Sequence, residues 1–146
     1  MKKNIKNNNG FTIIELIVVI AIIAVLAAIV LVNVTQYIAK GKNASIKGNM
    51  STILTNAAVF YDQQTSPTYV GFSATTGYTQ AAARIATNGG TMGTPVMTTS
   101  AFCACTTMNV TNTEPVNTTY CVDSAGNKKL TITACITECP ASGACQ

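Results

Sequence analysis

The chain contains no histidine and only five acidic residues among 146. Without histidine, catalysis loses its commonest general base, and the acids beyond residue 32 (Asp62, Glu114, Asp123 and Glu138) lie too far apart in sequence for a paired-carboxylate site. Serine and threonine are abundant, but no base accompanies them to activate a hydroxyl. An enzyme is therefore not expected. The cysteines show C-x-C and C-x3-C spacings rather than paired C-x2-C, which together with the missing histidine disfavours a zinc site and removes a C-x-x-C redox motif. Calcium needs several oxygen ligands with carboxylates among them, and Asp123 and Glu138 are a thin supply. No cofactor is expected.

Other absences concern the N-terminal third. A conventional secretory signal has an apolar core of about 7 to 15 residues ending in an A-x-A-like site. Here no A-x-A follows the apolar run, Val25-Leu26-Ala27 being the nearest approach, and residues 24–33 contain neither proline nor glycine. What stands in their place is a basic leader with Lys2, Lys3 and Lys6, then Gly10, then residues 11–32 with Glu15 as the only charge. At about 1.5 Å per residue that run makes a helix of roughly 33 Å, enough for a bilayer core of about 30 Å. Positive residues ahead of it favour an N-in, C-out topology. In lipid the backbone is satisfied only by a helix or a closed barrel, so the segment is expected to be continuous helix despite its Ile and Val content.

An ionised carboxylate at hydrocarbon depth costs several kcal/mol unless it finds a partner, so Glu15 is a functional residue by default. If the chain is cut after Gly10, the new amine of Phe11 lies one helical turn from Glu15, and the same amine on a neighbouring subunit would neutralise it. The segment K-K-N-I-K-N-N-N-G followed by F-T-I-I-E-L-I-V-V-I-A-I-I-A-V-L-A-A-I-V resembles the leader and N-terminal helix of type IV prepilins and the related pseudopilins. The resemblance covers about the first 35 residues. It implies a prepilin peptidase that cleaves between Gly10 and Phe11 and N-methylates Phe11, with Glu15 as the fifth residue of the mature chain and the residue that sets assembly register. Setting registry is the best-attested use of a buried ion pair. The missing Pro and Gly in residues 24–33 depart from many pilins and argue against a local helix break in an assembled filament.

Beyond residue 32 the composition turns polar and the helix is expected to run on. Ile46, Met50, Ile53, Leu54, Ala57, Ala58 and Tyr61 recur at spacings of three and four, giving one apolar stripe. Gly41 and Gly48 weaken it, and Thr65-Ser66-Pro67 ends it. Residues 66–100 read mostly as loop, with at most a short helical turn at 80–85. Strands are expected at 101–110, 116–123 and 129–136, with Leu130, Ile132 and Ala134 sharing a face. Cys103, Cys105, Cys121, Cys135, Cys139 and Cys145 are an even set in a segment expected to leave the cytoplasm, so up to three structural disulfides are expected. Their pairing stays open, except that Cys105 and Cys121 come close if a hairpin turns at 111–115.

The fold class is thus α+β and pilin-like: a long N-terminal helix, half transmembrane and half amphipathic, packed on a C-terminal antiparallel sheet. Residues 1–10 form the leader, 11–32 the transmembrane and filament-core helix, and 33–146 an extracytoplasmic disulfide-stapled head. The resemblance implies a type IV pilus subunit supporting adhesion, motility or DNA uptake, held in the bacterial inner membrane before it joins an extracellular pilus or a periplasmic pseudopilus. A type II secretion pseudopilin is the alternative within the family, and a singly anchored extracytoplasmic binding protein the alternative outside it. Partners implied are other pilin subunits in a homopolymer, the peptidase and the inner-membrane assembly machinery. Without its leader the chain has six basic residues against five acidic ones, and no basic cluster with interleaved aromatics supports DNA as a partner. Lys40, Lys42 and Lys47 are expected to meet lipid headgroups or another subunit.

Overall fold

The computed structural model describes residues 10–146, so residues 1–9 of the leader lie outside the described part. Two compact units divide the chain, one ending at Thr35 and the other Gln36–Gln146. Helix α1 occupies Ile13–Gln63 and passes Gly41 and Gly48 without interruption. In the first unit the large apolar side chains of the helix are exposed, from Ile13 at 79% to Leu31 at 69%.

The second unit is built on the other half of α1. Ile46, Met50, Ile53 and Ala57 are buried to 1% exposure or less, while Leu54 and Tyr61 are partly buried against the same core. Ala58 of the expected stripe is exposed instead. The sheet is a meander in the order β1-β2-β3-β4, all antiparallel: β1 Val96–Met97, β2 Phe102–Thr107, β3 Thr119–Asp123 and β4 Lys128–Thr131. The fold is therefore α+β and pilin-like, a long N-terminal helix on a four-stranded antiparallel sheet.

Strand β2 is buried on both faces. Phe102 and Ala104 join the helix-side core, where Phe72 meets Phe102 edge-on at 5.6 Å and Tyr78 at 5.6 Å. Cys103 and Cys105 point the other way and join Cys121 and Cys139 in a second, sulfur-rich cluster. Alternating side chains thus serve two cores rather than a core and solvent.

The elements differ from the sequence expectation in identifiable ways. Residues 66–100 are not mostly loop: a short 3-10 turn at Phe72–Ala74 leads into α2, Thr76–Thr87, which buries Tyr78, Ala81 and Ile85. The Thr75 side chain caps α2 by accepting the Tyr78 amide, as an N-cap threonine does. The third expected strand, 129–136, stops at Thr131, and Cys135–Glu138 forms the single-turn helix α3. Leu130 at 45% and Ile132 at 71% are exposed, so their shared face is uncovered and covers no core. The second expected strand starts late, at Thr119, because Asn117 takes a left-handed φ of 67° in the preceding turn.

Candidate functional site

Two sites can be built from the residues upward, one in each unit. At the start of α1, Thr12 precedes the first helical residue and Glu15 lies three positions on. The Glu15 amide donates to Thr12 Oγ1 at 3.2 Å, and Glu15 Oε2 accepts from both the Thr12 amide and the Thr12 hydroxyl at 2.8 Å. This is a capping box: threonine and glutamate at that spacing satisfy each other's orphan helix-end donors. Among the described residues, the hydrogen bonds to the Glu15 carboxylate fall on Oε2. Sequence reasoning missed Thr12, although T-x-x-E ahead of an apolar run is a readable signature. Among the described residues no atom lies within 4 Å of where a Gly10 side chain would stand, and Phe11 is 87% exposed. Helix α1 is long and apolar enough to cross a membrane by length and composition.

In the head, a polar clamp ties α1 to the β2–β3 loop. Asn43, on α1 and 1% exposed, donates to Asn109 O at 2.8 Å and to Glu114 Oε2 at 2.9 Å. Its Oδ1 accepts from the Asn109 backbone amide at 2.8 Å and from the Asn109 side chain at 2.9 Å. One helical turn later Lys47 Nζ reaches Glu114 Oε1 at 2.7 Å, and Thr111 Oγ1 donates to Oε2 at 2.8 Å. Burial pushes the Glu114 pKa up, but hydrogen bonds from Lys47, Asn43 and Thr111 and the Lys47 charge outweigh it and hold the group at about 2. The expectation that Lys47 faces lipid or another subunit is thereby corrected, since its ammonium is engaged within the chain. Lys40 is partly buried and Lys42 exposed.

The six cysteines form three disulfides: Cys103–Cys139, Cys105–Cys135 and Cys121–Cys145. Cys105 and Cys121 do stand directly opposite each other in the β2–β3 register, yet each bonds to the C-terminal segment. Every bridge therefore joins a central strand to residues 135–145. The sulfurs of Cys103, Cys121 and Cys139 lie within 4.8 Å of one another, but all are bonded in disulfides and offer no thiolate to a metal. Asp123 accepts from the amides of Ala125 and Asn127, the Asn127 side chain and the Cys145 amide. Burial raises its pKa and these donors lower it further than burial raises it. It anchors the β3–β4 turn and the C-terminal segment, its oxygens engaged by N–H donors rather than turned toward a cation. Glu138 is 3% exposed and its Oε2 has no hydrogen-bond partner among the described residues. The structure does not bring Asp62, Glu114, Asp123 and Glu138 together as a ligand or catalytic set: Glu114 belongs to the clamp and Asp123 to the turn.

Residues 5–31 match the family described as the prokaryotic N-terminal methylation motif, the leader signature of type IV pilins and pseudopilins. That motif supports a pilin-like or pseudopilin precursor, processed by a prepilin peptidase and assembled into pilin-type polymers, and with the apolar helix it fits membrane anchoring. Comparison with curated proteins and with solved structures finds no match.

Proposed function

We propose that this chain is a non-catalytic structural subunit of a type IV pilus. It waits in the inner membrane with its N-terminus inside, loses residues 1–10, and enters the filament with residues 11–32 in the core. The observation that supports this reading is the exposed apolar helix within the methylation motif: among the described residues nothing covers the large apolar side chains from Ile13 to Leu31, which need lipid first and neighbouring helices afterwards. In the assembled state Glu15 pairs with the Phe11 amine of an adjacent subunit, using carboxylate capacity that the Thr12 cap leaves over. The test is mass spectrometry of the protein recovered from sheared surface filaments of the native cells. A methylated Phe11 terminus in filament material is expected, and an intact Met1 or a terminus near Ala27 would sink the proposal.

A further inference from the structure

Two of the three disulfides are packed sulfur against sulfur. Cys121 Sγ lies 3.3 Å from Cys103 Sγ and 3.6 Å from Cys139 Sγ, and Cys103 Sγ lies 4.0 Å from Cys145 Sγ. The Cys105–Cys135 bridge enters none of these contacts. Burial is graded across the pair: Cys103 and Cys121 are fully buried on neighbouring strands, Cys139 is 5% exposed, and Cys145 is partly exposed. Within these two bridges an external thiol therefore meets the Cys145 sulfur first, while Cys135 of the third bridge is also partly exposed.

We infer that the Cys103–Cys139 and Cys121–Cys145 bridges form one exchange-coupled unit, in which a small thiol converts them to Cys103–Cys121 and Cys139–Cys145 without net oxidation or reduction. The steps balance. A monothiolate attacks Cys145 Sγ, forming a mixed disulfide there and releasing the Cys121 thiolate. That thiolate attacks Cys103 Sγ, its nearest sulfur at 3.3 Å, forming Cys103–Cys121 and releasing the Cys139 thiolate. Cys139 then attacks the mixed disulfide at Cys145, closing Cys139–Cys145 and expelling the original thiolate. The catalyst is recovered, and no external oxidant is consumed.

The second step brings together sulfurs already in contact, but it needs the Cys103–Cys139 bridge to turn into line with the Cys121 thiolate and the ladder to give locally, since the register places Cys103 diagonal to Cys121 rather than opposite it. The last needs movement of residues 139–145, which is what the exchange releases. Before it, three bridges hold residues 135–145 on the sheet; after it, only Cys105–Cys135 does. The outer face of β2 and β3 is then uncovered beyond Cys135. The device is a tether whose strength a thiol resets.

The test uses the full oxidised chain in detergent. It is incubated with and without reduced glutathione, quenched in acid, alkylated, and cleaved after Glu114, Lys129 and Glu138 without reduction. In the native pairing the fragment 139–146 stays covalently joined to the rest through Cys139 and Cys145. The expected result is a time-dependent release of 139–146 as a separate fragment carrying an internal disulfide, with Cys103 and Cys121 fragments linked, only in the glutathione sample. Retention of 139–146 in the joined assembly, or alkylated Cys121 and Cys145 beside an intact Cys103–Cys139 bridge, overturns the inference.

Discussion

Glu15 has a partner before any second subunit arrives. Its carboxylate closes the capping box with Thr12, so the residue stabilises the first turn of α1 within one chain as well as serving the assembly role proposed for it. Glu15→Ala should therefore insert into membrane as well as or better than the parent, because a charge leaves the hydrocarbon, while sheared filament becomes scarce. Immunoblots of membrane and sheared fractions, in cells lacking the parent chain, read the two effects separately; normal filament yield would remove the assembly role. In the head the critical single side chain is Asn43. Asn43→Ala removes the partner of the Asn109 backbone amide and carbonyl and one of the two donors to Glu114 Oε2, and should cost about 2 to 4 kcal/mol in chemical denaturation, summing the usual penalties for orphaned polar groups. Glu114 adds a pH signature. Its pKa falls from 4.5 to about 2 in the folded chain, so its contribution is fully present above the unfolded value and fades as pH drops from about 5 toward 2. The lost stability is at most about 3 kcal/mol, and Asp123, depressed in the same direction, adds to the acid sensitivity. Melting of parent and Glu114→Gln across that window should converge at the acid end; a constant difference between them would contradict the assignment.

Among the elements, those that pack in one regular period were legible in the sequence, and those shaped by cross-links were not. The α1 stripe and the β2 alternation are geometric consequences of 3.6 and 2.0 residue periods. Helix α2 extends the short turn expected at 80–85, because its buried face is only Tyr78, Ala81 and Ile85 and the Ala-rich pattern in the sequence is too brief to show a whole helix. β4 was overextended because Leu130, Ile132 and Ala134 alternate like a core strand, whereas the chain must leave the sheet so that Cys135 and Cys139 can reach back to β2. At the sites, Gly10, Phe11 and Glu15 stood out by their pattern, while the clamp of Asn43 to Asn109 and Glu114 spans about 66 to 71 positions and leaves no local trace. The junction of α1, α2 and β2 is equally hidden. Gly90 sits there, and an added Cβ would come 2.7 Å from Ile85 Cγ2 and 3.0 Å from Thr106 Oγ1. Gly90→Ala should destabilise the head by about 1 to 3 kcal/mol through overpacking, measurable as a shifted urea midpoint with unchanged slope.

At the scale of the whole molecule, cohesion comes from different sources on the two faces of the sheet. The helix face is closed by aromatic and aliphatic packing, the outer face by the three bridges. Removing native disulfides from a small secreted domain typically costs about 2 to 5 kcal/mol, so full reduction should lower the melting temperature markedly and loosen residues 132–146 first. Hydrogen exchange of reduced and oxidised protein checks this: early loss of protection in β3 and in residues 135–145, with α1 from Ile46 to Ala57 still protected, is the expected order.

The bridges also decide how the head responds to tension. A pull entering through α1 and resisted at residues 135–145 meets covalent cross-links at Cys103, Cys105 and Cys121, so everything from Cys103 onward yields little length. Of the residues that follow α1, those before Cys103 lie outside the cross-links and are free to pay out, about 40 residues or roughly 130 Å of contour at full extension. Beyond α1 the head is thus a spring with a hard stop: it can lengthen by a fixed amount, and past Cys103 the load passes into covalent bonds.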